Sequence, residues 1–282
     1  MNASKPKSYK LGIIGWPVAH SVSPTIHRAA ANALDLELEY YLYPIEPTKF
    51  EDGISAIREQ HLNGFNVTVP HKVRILDELD VIDPSALAIG AVNTVVVKND
   101  RWHGYNTDAP GLVRSLEAEG VQLNNANVIV LGAGGAARAA IVGLLNAGAR
   151  SVGVCARKIA SAEELCSLGD NVHSLSWPLT PDAVTETGLL VQATSATLGD
   201  RDADRSFANA LPLHHLPKHA TVVDLVYKPL QTSVLSAAED LGLQTVDGLG
   251  MLLHQGALAF ELWTGREAPV ETMRQALDAT VS

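Results

Sequence analysis

The sequence predicts an α/β protein of two domains, and three observations carry that reading. A length of 282 residues suits about two domains at roughly 150 residues each. Short apolar runs alternate with runs of helical period, the rhythm of strands and helices in turn. A glycine-rich turn then sits between an apolar strand and a helix, where a second such rhythm begins.

In the first half, strands are predicted at 11–14, 40–45 and 64–69, with helices at 24–34 and 48–60. The segment NTVVVKNDRWHGYN adds a hairpin, because β-branched residues flank a polar Asn99-Asp100 turn, so a mixed sheet is expected there. From Asn127 the order is strand NVIVL, glycine turn, helix ARAAIVGLLNAG and strand SVGVC, with later strands at 189–193 and 221–225. The last helix, 251–263, follows the glycine-rich segment DGLG and is expected to return to the first domain. That gives a discontinuous domain of 1–108 plus 248–282 around a second domain of 109–247.

Composition narrows the function classes. Apolar residues make up 46% and charged residues 18%, as in ordinary folded proteins. The charge sum is 21 − 31 = −10 without a Lys/Arg block, which argues against nucleic acid or an anionic membrane as partner and leaves small molecules. The most apolar stretch, 128–154, is broken by glycines, Arg138, Asn146 and Arg150, so no membrane span is expected. Cys155 and Cys166 are too few for a disulfide framework and lack clustered partners for a structural zinc site, so no metal is expected. With no signal-peptide core near Met1, a cytoplasmic location is expected. Charge leaves monomer and homodimer open.

In NVIVLGAGGAARAA, Gly132, Gly134 and Ala137 match the G-x-G-x-x-G/A spacing. The first permits a tight turn, the second lets backbone N–H groups approach a pyrophosphate, and the third allows close helix packing. At the end of the next strand, where an acid would bind ribose hydroxyls, the chain offers Cys155-Ala156-Arg157-Lys158. Two cations in place of an acid favour a ribose 2′-phosphate, hence NADP, with NAD a weaker alternative.

The first domain holds a polar constellation. Ser21 and Ser23 precede a helix opened by Pro24; Ser23 is read as an N-cap, or both hydroxyls as a carboxylate site. In GFNVTVPHK, Asn66 and Thr68 share one strand face, Pro70 ends the strand and Lys72 starts the next helix, where the dipole disfavours a cation. Asp108 is read as an N-cap in GYNTDAPG, and Gln255 lies on the apolar stripe of the closing helix, where its amide needs a partner.

These segments together resemble the shikimate dehydrogenase family. The blocks are HSxSPxxH (20–27), NVTVPHK (66–72), GAVNT (90–94), YNTD (105–108), GAGGAAR (132–138), DLVYKP (224–229) and DGLGMLLHQGALAFELWTG (247–265), and they run over nearly the whole chain. The resemblance implies an N-terminal substrate domain, a Rossmann-like NADP-binding domain with a parallel sheet, and reversible NADPH-dependent reduction of 3-dehydroshikimate to shikimate. It implies a catalytic dyad of Lys72 and Asp108. Substrate contacts carry over onto Ser21, Ser23, Asn66, Thr68, Asn93, Asp108, Tyr227 and Gln255. Cofactor contacts carry over onto Gly132, Ala133, Gly134, Gly135, Ala136, Arg157, Lys158, Thr194, Leu225, Gly248 and Met251. Two departures stand out: NADP-preferring members often begin the loop after the second Rossmann strand with Asn-Arg-Thr, whereas this chain has Ala156-Arg157-Lys158, and Gln192 stands where Asn is more usual. The alternatives are a quinate or dual quinate/shikimate dehydrogenase and, in another class, an NADP-binding sensor without catalysis.

Overall fold

The computed structural model describes residues 8–199 and 201–281. In chain order these form β1 (Ser8–Gly15), α1 (Ser23–Ala33), β2 (Glu37–Pro44), α2 (Phe50–Arg58), β3 (Gly64–Val67), β4 (Val81–Ile82), α3 (Pro84–Ile89), β5 (Thr94–Lys98) and β6 (Arg101–Tyr105). Then come α4 (Asp108–Ala118), β7 (Asn127–Leu131), α5 (Gly135–Asn146), β8 (Ser151–Cys155), α6 (Ile159–Leu165), β9 (Val172–Leu175), α7 (Pro181–Val184) and β10 (Leu189–Gln192). The chain ends with α8 (Arg201–Asn209), β11 (Thr221–Asp224), α9 (Ser233–Asp240), β12 (Gln244–Val246), α10 (Leu249–Thr264) and α11 (Val270–Val281). Two compact units result: the described residues up to Thr107 with those from Leu253 on, and the described residues between Asp108 and Leu252.

The first unit holds a six-stranded mixed sheet in the order β2-β1-β3-β5-β6-β4. β1 pairs in parallel with β2 and β3, while β3, β5 and β6 pair antiparallel. The hairpin turns where its polar pair predicts, with Asn99 and Asp100 at φ 52° and 61° and Lys98 opposite Arg101. Positive φ at both central residues matches the right-handed twist of the flanking strands. One side of the sheet buries Phe50, Ile54, Phe65, Ile75 and Trp102. Another cluster joins Tyr9, Leu11, Tyr40 and Val96 to Ala259 and Trp263 of α10. The Trp263 indole donates to the Val95 carbonyl at 2.9 Å, and a Cβ on Gly64 would come within 2.3 Å of that indole nitrogen. Glycine at 64 is therefore required for α10 to lie this close to β3.

The second unit is a parallel six-stranded sheet in the order β12-β11-β10-β7-β8-β9. The chain winds outward from β7 through β8 and β9 to one edge, then crosses back and winds through β10, β11 and β12 to the other. Strands covered on both faces should be apolar throughout, and β7, β8, β10 and β11 read NVIVL, SVGVC, LLVQ and TVVD. Ala137 is fully buried in the cluster that holds Val130, Ile141 and Val191, so the small third position of the glycine pattern serves packing.

The structure corrects several local readings. Ser23 is the first residue of α1; Val22 occupies the cap position without a side-chain bond, and Ser21 Oγ instead accepts from the Ser23 N–H at 3.3 Å. Lys72 does not open a helix. It lies in a turn ahead of a short 3₁₀ segment, Arg74–Glu78, so the helix-dipole argument does not apply to it. β3 ends at Val67, leaving Thr68 beyond the strand, and Asp108 is the first residue of α4 rather than the residue before it. The helix at 251–263 is not the last: α11 follows and packs against α1.

His27 of α1 is fully buried, stacked on Tyr40 at 5.0 Å and edge-on to Trp263 at 5.1 Å, with neither ring nitrogen hydrogen-bonded. Burial pushes its imidazole down to about 3; Asn66 opposes this more weakly, approaching the ring without hydrogen-bond geometry. The unfolded chain takes up this proton near 6.5 and the folded chain does not, so the neutral ring's contribution is whole above that pH and is lost as pH falls toward 3. The slope is about 1.4 kcal/mol per pH unit. In urea unfolding at pH 5.5 and pH 4.5, His27→Phe is expected to gain about that amount relative to the parent chain over the interval. An unchanged gap would show that the ring accepts a proton in the folded state.

Candidate active site

In the first unit, the polar side chains predicted for substrate contact are held by one another and by buried neighbours. Ser21 and Ser23 sit at the start of α1, their hydroxyls 3.1 Å apart. The Thr68 methyl lies over Gly15, where a Cβ would come within 2.2 Å. Asn66 is buried and committed internally: its Oδ1 accepts from the Tyr40 hydroxyl at 2.6 Å, and its Nδ2 donates to the Asn93 carbonyl and to Thr94 Oγ1. Asn66 thus braces β5, a role its alternation with Val67 does not reveal. Asn93 is fixed by Thr107, whose N–H donates to Asn93 Oδ1 at 2.7 Å and whose hydroxyl accepts from Asn93 Nδ2 at 2.8 Å. The same Nδ2 donates to Gln255 Oε1 at 3.3 Å, which supplies the partner that the amide on α10's apolar stripe required.

Lys72 is half-buried, and its backbone is clamped on both sides. The buried His71 ring lies against Phe50 at 4.9 Å with its Nε2 2.6 Å from the Ile45 carbonyl, while the Lys72 carbonyl accepts from the Val92 N–H at 2.8 Å. The amine therefore projects from a fixed turn.

In the second unit the glycine turn lies between β7 and α5, at the point where strand order reverses. Carboxyl ends of strands at such a point form a crevice that binds ligands in open α/β sheets. Gly132 has φ 120°, a conformation open to glycine, and a Cβ there would come within 3.1 Å of the Ala193 carbonyl. Gly134 differs: its backbone is extended, and a Cβ would meet no protein atom within 4 Å. Neither backbone conformation nor packing asks for glycine at 134, so the open space in front of it is where a ligand's close approach would. Ala133, Gly135 and Ala136 are also partly exposed around this turn. Arg157 and Lys158 are exposed in the bend after β8, and among the described residues neither has an ion-pair partner. An N-terminal helix turn with open backbone and two such cations after the second strand fit a dinucleotide carrying an additional phosphate.

Beyond β10, Thr194 is half-buried; its N–H donates to Gln192 Oε1 at 2.6 Å and its Oγ1 accepts from Ala196 N–H at 3.0 Å. Gln192 itself is fully buried, so its departure from the usual Asn acts on this loop rather than on a ribose directly. Leu225 and Tyr227 follow β11, both half-buried, and burial raises the Tyr227 phenol above its usual range. Gly248 packs on that segment: a Cβ would lie 2.4 Å from the Leu225 carbonyl. Met251 is only 7% exposed and packs in the core with Leu112 and Val246, so little of its side chain is available to a ligand. Asp108 is buried at the start of α4. The sequence assigns no role to Tyr40, nor to His71, Thr107 and Asp224, which lie within the quoted blocks; each acts through contacts distant in sequence or through a buried polar group within a strand. Among the described residues no group of His, Cys, Asp or Glu is arranged to hold a metal ion, and no helix is long and apolar enough to cross a membrane.

A chain built this way is a two-unit α/β protein of the dinucleotide-binding class. The family model for the shikimate dehydrogenase substrate binding domain matches residues 13–95, that for shikimate / quinate 5-dehydrogenase matches 115–249, and that for the shikimate 5′-dehydrogenase C-terminal domain matches 248–277. The shikimate dehydrogenase (NADP(+)) of Geobacter sp. (strain M21) is 42% identical, over 98% of this chain and 97% of its own length. The crystal structure of the Thermus thermophilus shikimate 5-dehydrogenase in complex with NADP(H) and shikimate is 37% identical with a TM-score of 0.86, covering 96% of this chain and 99% of that one. The quinate dehydrogenase of Corynebacterium glutamicum in complex with NAD is 28% identical with a TM-score of 0.84, covering 97% and 99%. The chain belongs to the shikimate dehydrogenase family.

Gly134→Ala separates packing from ligand approach. With no protein neighbour at the new methyl, the melting temperature is expected to hold or to rise slightly, since the unfolded chain loses freedom. Dinucleotide binding, followed by calorimetry, is expected to weaken at least about tenfold, because the methyl enters the space a pyrophosphate would take. Equal affinity with equal stability would move the ligand away from this turn.

Proposed function

We propose that this chain catalyses the reversible, NADPH-dependent reduction of 3-dehydroshikimate to shikimate. The observation that carries the reading is the glycine turn at the reversal point of the parallel sheet, with room in front of Gly134 and the exposed Arg157 and Lys158 after the next strand. The full-length similarity to NADP-dependent shikimate dehydrogenases supports the substrate.

When bound, NADPH supplies the hydride to the ring carbonyl carbon. The protein's own part is to hold the substrate and manage a proton. The Ser21 and Ser23 hydroxyls, at the start of α1, bind the carboxylate, for which hydroxyl donors and N-terminal amides are suited. Thr68, Asn93, Tyr227 and Gln255 take the ring hydroxyls, with Asn66 behind Asn93 as a brace. Lys72 donates a proton from Nζ to the oxygen that becomes the new hydroxyl and recovers it in the reverse direction, while Asp108 orients the ring hydroxyl. A positioned acid/base of this kind is worth about 10² to 10⁴-fold.

Arg157 and Lys158 favour the 2′-phosphate of NADP, and the absence of a carboxylate directly after β8 disfavours NAD. Quinate is the second substrate to weigh, since the C. glutamicum relative is named for it and both acids carry a carboxylate and ring hydroxyls. The chain acts on small molecules without nucleic acid or membrane, in the cytoplasm, as a monomer or homodimer.

A two-by-two kinetic comparison of shikimate and quinate with NADP and NAD tests substrate and cofactor together; shikimate with NADP is expected to give the highest kcat/KM, and absence of turnover in all four arms would sink the enzyme reading. Lys72→Ala is expected to lower kcat at least about 100-fold while NADP binding survives. Near-normal turnover in that variant would remove the amine from the mechanism. Ser21→Ala is expected chiefly to raise KM for shikimate, by the loss of one charge-assisted hydrogen bond of about 1.5 to 3 kcal/mol. An unchanged KM would leave Ser21 the purely local task of bonding the Ser23 N–H.

A further inference from the structure

Behind the carboxyl ends of β10 and β11 lies a polar cluster of Gln192, Asp224, Thr194, Thr197 and Thr232, none of them a cation. Gln192 and Asp224 are partners in the β10–β11 register, and both are fully buried. The two N–H groups of the Gln192 amide are shared among three acceptors, Thr197 Oγ1 at 3.0 Å, the Thr194 carbonyl at 3.1 Å and Asp224 Oδ1 at 3.3 Å, while its Oε1 accepts from the Thr194 N–H. Asp224 accepts from the Val226 N–H at 3.0 Å through Oδ1 and from the Thr232 hydroxyl at 2.8 Å through Oδ2. Thr232 then caps α9 by accepting from the Leu235 N–H.

A carboxylate without a cation in a protein interior is costly unless hydrogen bonds satisfy it. Burial lifts the Asp224 carboxyl to about 6, opposed by bonds from Val226 N–H, Thr232 and Thr197, with the charge of Asp204 adding to the rise. An apolar residue would satisfy the strand at less cost, so the reason for this group lies in what it holds. Through Gln192 it sets the loop 193–198, which carries Thr194. Through Val226 and Thr232 it sets the segment 225–232, which carries Leu225 and Tyr227. Gly248 closes on the Leu225 carbonyl from the other side.

We propose that Gln192 and Asp224 are positioning residues that lock the loops after β10 and β11 into one arrangement for cofactor binding and hydride transfer. This rests on the reading that the second unit binds NADP. Each side chain acts through the backbone of the loops and neither touches the reacting atoms. The longer Gln, standing where Asn is more usual in the family, reaches Asp224 across the strand gap while still holding Thr194 and Thr197.

The test uses the full chain, with NADP+ affinity measured by calorimetry in the absence of substrate and steady-state kinetics measured separately. Gln192→Leu keeps the volume and removes the bonds to both loops; it is expected to weaken NADP+ binding at least about tenfold and to lower kcat. Asp224→Ala is expected to do the same, and Asp224→Asn, which keeps an acceptor for Val226 and Gln192, to recover to within about threefold of the parent chain. The Gln192→Leu and Asp224→Ala effects on NADP+ affinity are expected to be non-additive by at least about fivefold, since they remove one shared contact. Should either variant fail to fold, Thr197→Val removes one hydroxyl of the cluster, the one that meets Gln192 and Asp224, and is expected to weaken NADP+ binding about threefold. Variants that melt at lower temperature yet bind NADP+ and turn over as the parent does would overturn the proposal and leave the cluster a stability element. A parent chain that shows no NADP-dependent turnover overturns the functional reading instead, so the two failures are distinct.

Discussion

The reversal of strand order beside β7 is the constraint from which the second unit's chemistry follows. Once a parallel sheet winds outward in both directions from one strand, the connections after β7 and β10 leave on opposite faces, and the carboxyl ends between them are left uncovered. The glycine turn fills that position. Its first glycine is dictated by a φ of 120°, its alanine by helix-to-strand packing, and its second glycine by nothing within the protein. Together with the helix N-terminus behind it, that freedom is what supports the proposed place for a pyrophosphate.

The first unit solves a different problem, that of presenting hydroxyl, amide and amine groups without letting them wander. It does so with a relay of buried bonds running from Tyr40 through Asn66 to Asn93, Thr107 and Gln255. Each member gives up part of its hydrogen-bonding capacity to fix its neighbour. Buried networks of this kind are rigid when every member is satisfied. The His27 ring shows the other extreme: it is packed purely as an aromatic plate among Tyr40, Phe260 and Trp263.

Much of the fold is legible because its signals are local. The Asn99-Asp100 turn, the strand before Gly132 and the helix after Pro24 each rest on a few adjacent residues, and all three are present. Sequence and structure part where two local rules compete. Ser23 has the character of a cap, yet Ser21 satisfies the N–H that matters, and Lys72 follows a helix-opening pattern although Val92 and the His71 side chain pin it in a turn. The partners of Asn66 and Asn93 lie beyond reach of local rules because they come from 26 and 162 residues away. In the sequence Gln192 stands out only as a departure from the usual Asn, and Asp224 only as the first residue of the block DLVYKP; the alignment of β10 with β11 makes them a pair.

The exposed pair Arg157 and Lys158 belongs to a chain whose formal charge is −10. Open to water, the two cations act on an incoming anion through solvent, where attraction fades over a Debye length of about 8 Å at physiological ionic strength. With Arg157 and Lys158 in their proposed role, discrimination between phosphorylated and unphosphorylated dinucleotides is a property of the medium as well as of the protein. It is sharpest in dilute buffer and narrows as ionic strength rises.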